Sequence, residues 1–167
     1  ANILFYLGPR LGLAPKNEAA RIWTNQLQLT IADWVGEVHD VHHPISGGLY
    51  YEDQKDEAKR RAGDFTANRM PKFLGYFERI LKHNRRKNEY LLGKKCTYVD
   101  LSLFQIIEGL RYAFPRTVAE IEKKYARMIA LHDAVSARPR LRAYLDSSRR
   151  IPFNQEGIFR HYLELDS

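Results

Sequence analysis

The chain has 167 residues, of which 44% are hydrophobic and 28% are charged, and its formal net charge at pH 7 is +7. This composition excludes disordered and collagen-like proteins, and the length is that of one domain that buries its own core. No apolar run approaches the roughly 18 residues of a membrane span, so we expect no membrane partner. A single cysteine excludes an internal disulfide framework and predicts a reducing, cytoplasmic setting.

The positive charge is concentrated in three basic clusters, at 59–61 (KRR), 83–88 (HNRRKN) and 138–142 (RPRLR). Clusters of this kind attract phosphates and other anions. At 56–61, however, acidic residues precede basic ones by four positions, which is typical of a solvent-exposed helical face. No recognised nucleic-acid-binding motif accompanies the charge, so the sequence does not predict nucleic acid as a partner.

The first fifty positions predict two helices. A short N-terminal helix is expected to end at Gly8-Pro9, because this pair interrupts helices. A long helix should begin near Asn17 or Glu18 and end at HHPISGG (42–48), which contains proline and two glycines. Its apolar positions recur every three or four residues and predict one buried stripe, formed by Ile31, Trp34, Val35 and Val38.

Helical spacing continues through the rest of the chain. A second long helix is predicted from about residue 53 to residue 84, with a kink or a break at Pro71, which cannot donate a backbone hydrogen bond. Further helices are predicted at 117–137 and from Pro139 onward. No segment shows the two-residue period of a strand. The chain is therefore predicted to be an all-α bundle of five to seven helices.

The segment KKCTYVDLSLF (94–104) has the features of a helix start. Thr97 is predicted to be the N-cap and Asp100 its partner in a capping box, in which each side chain accepts a hydrogen bond from the other residue's backbone N–H. Cys96 and Leu101 then occupy the two positions of a hydrophobic staple. The helix that follows is apolar on almost every side, which is typical of a buried central helix.

Cys96 has an alternative interpretation as a catalytic nucleophile. Lys94 and Lys95 precede it, and nearby positive charge lowers the pKa of a thiol. No histidine or aspartate lies at a local spacing that suggests a base, whereas the staple accounts for the position. We therefore predict a structural role for Cys96.

Three segments, taken in order, resemble the glutathione transferase superfamily. ANILFYLGPRLGLAPKNEAAR (1–21) resembles the last helix of that family's thioredoxin-like domain, the linker after it, and the start of the helical domain. YLLGKKCTYVDLSLFQIIEGL (90–110) resembles the capped central helix of the C-terminal domain, and HDAVSARPRLRAYLDSS (132–148) resembles a later element of it. The resemblance covers nearly the whole chain.

The resemblance implies that residues 1–13 are a remnant of the last helix of a thioredoxin-like domain and that residues 14–167 are the all-helical C-terminal domain. Family members bind their co-substrate glutathione mainly through the thioredoxin-like domain, which also supplies the catalytic residue. We therefore expect this chain alone to bind no glutathione and to be inactive. The parent protein is expected to be a cytoplasmic homodimer that conjugates glutathione to apolar electrophilic small molecules, a detoxification reaction.

Family geometry implies that the C-terminal part of the first long helix forms one wall of the acceptor-substrate pocket. The candidates for this pocket are Trp34, Val38, His39, His42, Phe153 and Phe159. For Trp34 and Val38, burial in the core is the alternative. His39 and His43 are four residues apart, but Pro44 follows and no glutamate follows the first histidine as in H-E-x-x-H, so no metal is predicted.

Two features leave the function open. Several classes of the family place an acidic residue of the first long helix near the glutathione of the neighbouring subunit, whereas the nearest polar residues here are Gln26 and Gln28. The same fold also occurs in non-catalytic protein-interaction modules, including docking domains associated with tRNA synthetases, and the basic clusters suit such a module. An interaction module is therefore the alternative to a transferase domain.

Overall fold

The computed structural model describes residues 1–84 and 89–166. These residues form eight α-helices and no β-strand. The helices are α1 (Asn2–Arg10), α2 (Glu18–His42), α3 (Lys55–Asp64), α4 (Met70–His83), α5 (Tyr98–Ala113), α6 (Pro115–Ile121), α7 (Ala126–Ser136) and α8 (Pro139–Leu145). Seven helices follow α1, and the predicted all-α bundle is confirmed. Among the described residues, no helix is both long enough and apolar enough to cross a membrane.

α1 extends past its predicted end. The prediction that Gly8-Pro9 stops this helix is wrong, since α1 continues to Arg10. A proline in the last turn forgoes only one backbone donor, and the backbone N–H of Leu11 still donates to the carbonyl of Leu7 at 3.0 Å. The helix ends before Gly12, which has a positive φ of 69° that glycine adopts without strain.

α2 begins and ends as its sequence predicts. The side chain of Asn17 accepts a hydrogen bond from the backbone N–H of Ala20 at 3.0 Å, and this N-cap fixes the start of the helix. The helix ends just before the proline of segment 42–48. Ile31, Trp34 and Val38 of its apolar stripe are buried and Val35 is half-buried, and the ring of Trp34 stacks on that of Phe73 with centroids 5.1 Å apart.

The predicted second long helix is divided by a π-helical turn. α3 and α4 flank this turn, Phe65–Arg69, which lies directly before Pro71. Because proline cannot donate to the carbonyl four residues earlier, a wider turn accommodates the missing hydrogen bond. The predicted break at Pro71 is confirmed. The basic cluster at 83–88 follows α4, and its residues 85–88 lie outside the described residues.

The prediction of one helix at 117–137 is wrong, because the structure has two, α6 and α7, separated at Tyr125. A buried contact with α4 explains the break. The buried carboxylate of Glu78 accepts hydrogen bonds from the backbone N–H groups of Arg127 at 3.1 Å and Met128 at 3.0 Å. It therefore caps the start of α7 from a distant part of the sequence.

α5 packs against α2, α6 and α7 at the centre of the bundle. One carboxylate oxygen of Asp100 accepts from the backbone N–H of Thr97 at 2.7 Å and from its hydroxyl at 2.8 Å. The other oxygen accepts from the backbone N–H of Leu91 at 2.9 Å. Asp100 is fully buried, so these bonds replace the water that the carboxylate loses. The predicted central helix with its Thr97/Asp100 cap is confirmed.

The tail after α8 lies along the bundle. Near its end, the buried carboxylate of Asp166 accepts from the backbone N–H groups of Arg116 at 2.7 Å and Thr117 at 3.0 Å, at the start of α6. Earlier in the tail, the ring of Phe159 lies directly on Gly109 of α5, where a Cβ atom would collide with it. These two contacts help to hold the tail against the helices.

Candidate functional site

A cavity of about 490 Å³ opens between α1, α2 and α5. We call it the apolar cleft. Its main side chains are Leu4 and Leu7 from α1, Leu11 directly after α1, Gln28, Ile31 and Val35 from α2, Tyr98, Leu101 and Ile106 from α5, and Phe159 from the tail. The three leucines are spaced by three and four residues, so they lie on the same side of α1 and its C-cap.

The position of α1 beside the cleft is fixed by close packing and by a backbone hydrogen bond. A Cβ atom at Gly8 would lie 2.6 Å from a ring carbon of Tyr98, so only glycine allows this approach. The backbone N–H of Tyr98 donates to the carbonyl of Leu13 at 2.9 Å. This bond joins the linker after α1 to the first turn of α5, and the cleft is consequently preformed.

Two residues that line the cleft each have a buried polar atom without a hydrogen-bond partner. The side-chain oxygen of Gln28 and the hydroxyl of Tyr98 have none among the described residues, although the two residues are only 6% and 3% exposed. Burial raises the pKa of Tyr98, so its hydroxyl stays protonated and able to donate. A buried polar atom left unpaired costs about 1–3 kcal/mol. Each atom has almost no surface that a water molecule can reach, so both lie behind the apolar lining of the cleft.

Large apolar side chains are exposed around the cleft. Ile3 of α1 is 73% exposed and Leu11, directly after α1, is 65% exposed, and Tyr6 is also exposed. The N-terminal half of α2 also exposes Ile22 and Trp23, which do not line the cleft. Grouped exposed apolar residues mark surfaces on which another molecule or protein surface binds. The cleft and its rim are therefore a candidate binding surface.

The six residues predicted for the acceptor pocket do not gather at one place. Trp34 and Val38 are buried in the core. Phe159 lines the apolar cleft, whereas Phe153 stacks on Tyr112 with centroids 5.1 Å apart and lines a smaller cavity of about 190 Å³. The two histidines lie farther along, at the C-terminal end of α2.

His39, His42 and His43 form a cluster there, with ring centroids 4.8 to 5.5 Å apart. Burial, together with the positive charge of Arg160 and the neighbouring histidines, lowers the pKa of His42 to about 3. Burial and Arg160 also lower the pKa of His43. The buried His42 ring is therefore neutral at neutral pH. In residues 1–84 and 89–166, no three side chains are arranged so that they could hold a metal ion.

Cys96 is buried at the start of α5. Burial raises the pKa of its thiol to about 11, and Asp100 adds to the effect. The thiol is therefore protonated at neutral pH, and the nucleophilic form of cysteine is the thiolate. Its Sγ atom lies 3.6 Å from the carbonyl oxygen of Thr97. Cys96 and Leu101 border different cavities, so their packing as a staple stays a prediction.

A sequence model of the family "Glutathione S-transferase, C-terminal domain" matches residues 39–148. The chain belongs to the glutathione S-transferase family. The matched range contains the capped central helix α5 and extends past the end of α8. The capping box that the sequence predicted thus lies within the part of the chain that identifies the family.

Relatives within the glutathione S-transferase family are longer than this chain. Glutathione S-transferase 2 of Onchocerca volvulus is 25% identical over 138 residues, which are 80% of this chain and 61% of the relative. The glutathione S-transferase of Plasmodium falciparum is 24% identical over 116 residues, 67% of this chain and 50% of the relative. The structure of prostaglandin synthase D of Nilaparvata lugens superposes with a TM-score of 0.71 at 22% identity, covering 90% of this chain and 68% of that one. This likeness shows the fold alone.

Sequence reasoning missed most of the apolar cleft of this glutathione S-transferase chain. A signal existed in α1 and directly after it, where Leu4, Leu7 and Leu11 recur at helical spacing. No local sequence pattern predicts that Gln28 and Tyr98 are buried beside the same cavity. Their burial depends on how α1 and α5 pack, which is a long-range property of the fold.

Proposed function

We propose that this chain is the helical part of a glutathione transferase that conjugates glutathione to apolar electrophilic compounds. The observation that carries the proposal is the uncovered apolar cleft in a chain of the glutathione S-transferase family. In this proposal a thioredoxin-like domain covers the cleft and supplies bound glutathione and the catalytic residue. Residues 1–13 belong to that domain, and residues 14–167 form the helical domain.

The apolar side chains at the cleft support the proposal that another protein domain covers it. Each large apolar side chain fully removed from water contributes about 1.5–3 kcal/mol, and α1 exposes several of them. Because α1 is already fixed against α5, little ordering is required when the second surface docks.

The acceptor is proposed to bind where the covering domain meets the C-terminal half of α2 and the tail. Phe159 and the half-buried His39 are available to contact it, whereas Trp34 and Val38 support this wall from the core. The neutral state of the buried His42 ring suits an apolar acceptor, since it adds no charge to the wall. Phe153, stacked on Tyr112 in the neighbouring cavity, is proposed to hold the tail in place.

The parent protein is further proposed to be a cytoplasmic homodimer. α2 exposes Ile22, Trp23 and Leu29, which supports an interface along this helix. Sedimentation equilibrium of the two-domain protein should give twice the mass of one chain, and Leu29→Asp should shift it toward the monomer. A monomer at all concentrations would contradict this part of the proposal.

A conjugation assay on a fusion protein tests the proposed function. The thioredoxin-like part of the Onchocerca volvulus relative is joined ahead of residues 1–167, and the reaction of glutathione with chlorodinitrobenzene is followed by absorbance. We expect the fusion to catalyse this reaction and the chain alone to leave it at the uncatalysed rate, because in this proposal the thioredoxin-like domain supplies the glutathione-activating group.

Substitutions in the cleft make the assay specific. Leu7→Asp and Leu11→Asp place a charge on the cleft at exposed positions, so the fold should survive while the activity of the fusion is lost. Leu163→Asp changes an equally exposed leucine of the tail that lies outside the cleft, and it should leave the activity unchanged. An active chain alone, or a fusion unaffected by Leu11→Asp, would overturn the proposal. An inactive fusion whose helical part binds tRNA would support the interaction module instead.

A further inference from the structure

A cavity of about 750 Å³ lies between the loop after α2 and the tail after α8. We call it the polar cavity. Its volume lies within the range of about 300–1,000 Å³ that is typical of small-molecule sites. It shares no lining residue with the apolar cleft. The lining residues that bear on its chemistry are Leu49, Tyr50 and Glu52 from the loop side and Glu156, Arg160 and Tyr162 from the tail.

Charged groups of both signs line the polar cavity, and they are not paired with each other. Within residues 1–84 and 89–166, neither Arg160 nor Glu52 nor Glu156 forms an ion pair. The guanidinium of Arg160 donates through Nε to the carbonyl of Gly157 at 2.9 Å, and its two terminal nitrogens have no acceptor among the described residues. A guanidinium with free terminal nitrogens binds a carboxylate through paired hydrogen bonds, and carboxylates bind an ammonium group.

Aromatic and apolar side chains complete the lining. Tyr162 stacks on Tyr51 with ring centroids 3.8 Å apart and an angle of 15° between the planes, and this pair joins the tail to the loop. Tyr50 is 79% exposed and Leu49 is 38% exposed. A ligand with an apolar part would remove some of this exposed surface from water, which favours binding.

Both walls of the polar cavity are preformed. The fully buried side chain of Gln54 forms hydrogen bonds with backbone groups of segment 45–49 at 2.9 to 3.2 Å, and these bonds hold the loop. In the tail, the side-chain oxygen of Asn154 accepts from the backbone N–H groups of Glu156 at 2.9 Å and Gly157 at 3.0 Å. A ligand therefore orders little of the chain on binding.

We propose that the polar cavity binds a zwitterionic α-amino acid with an apolar side chain. The carboxylate of the ligand binds the guanidinium of Arg160, and its ammonium group binds Glu52 and Glu156. Its side chain packs on Leu49 and Tyr50. A purely anionic ligand would be repelled by the two carboxylates and a purely cationic one by the guanidinium, so a ligand with both charges fits best. This site does not depend on the proposed conjugation reaction, because it uses no residue of the apolar cleft.

Calorimetric titration of residues 1–167 with L-phenylalanine tests the proposal. Phenethylamine, which lacks the carboxylate, and 3-phenylpropanoate, which lacks the ammonium group, are titrated in parallel. We expect phenylalanine to bind at one saturable site, about threefold or more tightly than either analogue. An absence of saturable binding, or an analogue that binds as tightly as phenylalanine, would overturn the proposal.

Two substitutions test which residue binds which charge of the ligand. Arg160→Gln should weaken the binding of phenylalanine about tenfold and should not weaken that of phenethylamine, which has no carboxylate. Glu52→Gln should weaken phenylalanine about threefold, because Glu52 is exposed, and should not weaken 3-phenylpropanoate. If either substitution weakened all three ligands equally, it would have disturbed the cavity as a whole, and the assigned roles would be wrong.

Matched controls are available at Arg140 and Glu120, two exposed residues that line neither cavity. Arg140→Gln and Glu120→Gln make the same changes in net charge as the two test substitutions and should leave the binding of all three ligands unchanged. If the controls weakened phenylalanine as much as Arg160→Gln and Glu52→Gln do, the attraction would come from net charge, and the proposed site would be refuted.

Discussion

The contact between Gly109 and Phe159 predicts that replacing Gly109 by alanine does not stabilise α5, although this substitution normally stabilises a helix. Replacing a glycine inside a helix by alanine normally stabilises by about 1 kcal/mol. At Gly109, however, a built Cβ atom collides with three carbon atoms of the Phe159 ring. Overpacking of this kind costs about 1–3 kcal/mol. Gly109→Ala should therefore be neutral or destabilising by up to about 2 kcal/mol in the native sequence, after the helical gain is subtracted.

Removing the ring should restore the normal behaviour of the helix. In a Phe159→Ala background, Gly109→Ala is expected to stabilise by about 1 kcal/mol, because the obstacle is gone. The interaction energy of the double-mutant cycle is then about 1–3 kcal/mol, outside the error of additive changes. Gly63→Ala in α3 is the control, since a Cβ atom there meets nothing within 4 Å. It should stabilise the protein with or without Phe159.

The assay is urea-induced unfolding followed by far-UV circular dichroism, applied to the four members of the cycle and to the control. Additive effects of Gly109→Ala and Phe159→Ala, within about 0.5 kcal/mol, would refute the packing of the tail on α5. Since Phe159 also lines the apolar cleft, such a result would remove the tail from the candidate site.

Three further stability predictions use the same assay. Asp100→Ala leaves two backbone donors and the Thr97 hydroxyl unpaired and should cost about 2–4 kcal/mol, whereas Thr97→Ser keeps the hydroxyl and should cost less than about 1 kcal/mol; equal losses would contradict the capping box. The pKa of His42 is about 3 in the folded chain against 6.5 normally, so between pH 3 and pH 6.5 the unfolded state binds more protons than the folded state. The free energy of unfolding should therefore decrease as the pH is lowered below 6.5, by up to about 1.4 kcal/mol per pH unit. His42→Gln should reduce that slope, and the same substitution at the exposed His83 should not. The side chain of Gln54 is fully buried and forms hydrogen bonds with three backbone groups of segment 45–49 at 2.9 to 3.2 Å. Gln54→Leu should therefore lower the free energy of unfolding by about 2–4 kcal/mol and make this segment susceptible to proteolysis. A variant that is equally stable and resists protease would contradict the role of Gln54 in holding the segment.

The parts of the fold that local chemistry determines could be predicted from the sequence. The start of α2 at Asn17 and the start of α5 at Thr97 depend on side chains that bond to backbone groups three residues away. The break at Pro71 follows from a missing donor on the same helix. These interactions span only a few residues, so their sequence pattern contains nearly all the information.

The errors arise where the hydrogen-bond partners of backbone groups, distant in one case and local in the other, decide the structure. α6 and α7 are separate because Glu78 of α4 caps the start of α7, and no pattern within residues 117–137 reveals that carboxylate. α1 continues through Pro9 because the backbone bonds of Leu11 remain available and Gly12 supplies the turn. In both cases, the bonding partners of the backbone decide where a helix ends.

The candidate site was predicted less well than the fold for the same reason. Trp34 and Val38 lie on a helix whose apolar stripe is compatible with either the core or a pocket wall. Packing against Phe73 places Trp34 in the core. The apolar cleft exists because α1, α2 and α5 meet, and its polar atoms at Gln28 and Tyr98 become isolated only through that meeting. Periodicity within one helix does not specify which helices meet.

Titration of the thioredoxin-like part of a relative into residues 1–167 tests the central claim most directly, because it measures whether the apolar cleft receives a second domain. We expect saturable binding with a negative heat-capacity change, which is the signature of buried apolar surface. Leu11→Asp should abolish this binding, and Leu163→Asp should leave it intact. Absence of binding, or binding that is insensitive to Leu11→Asp, would contradict the assignment of the cleft to a domain interface.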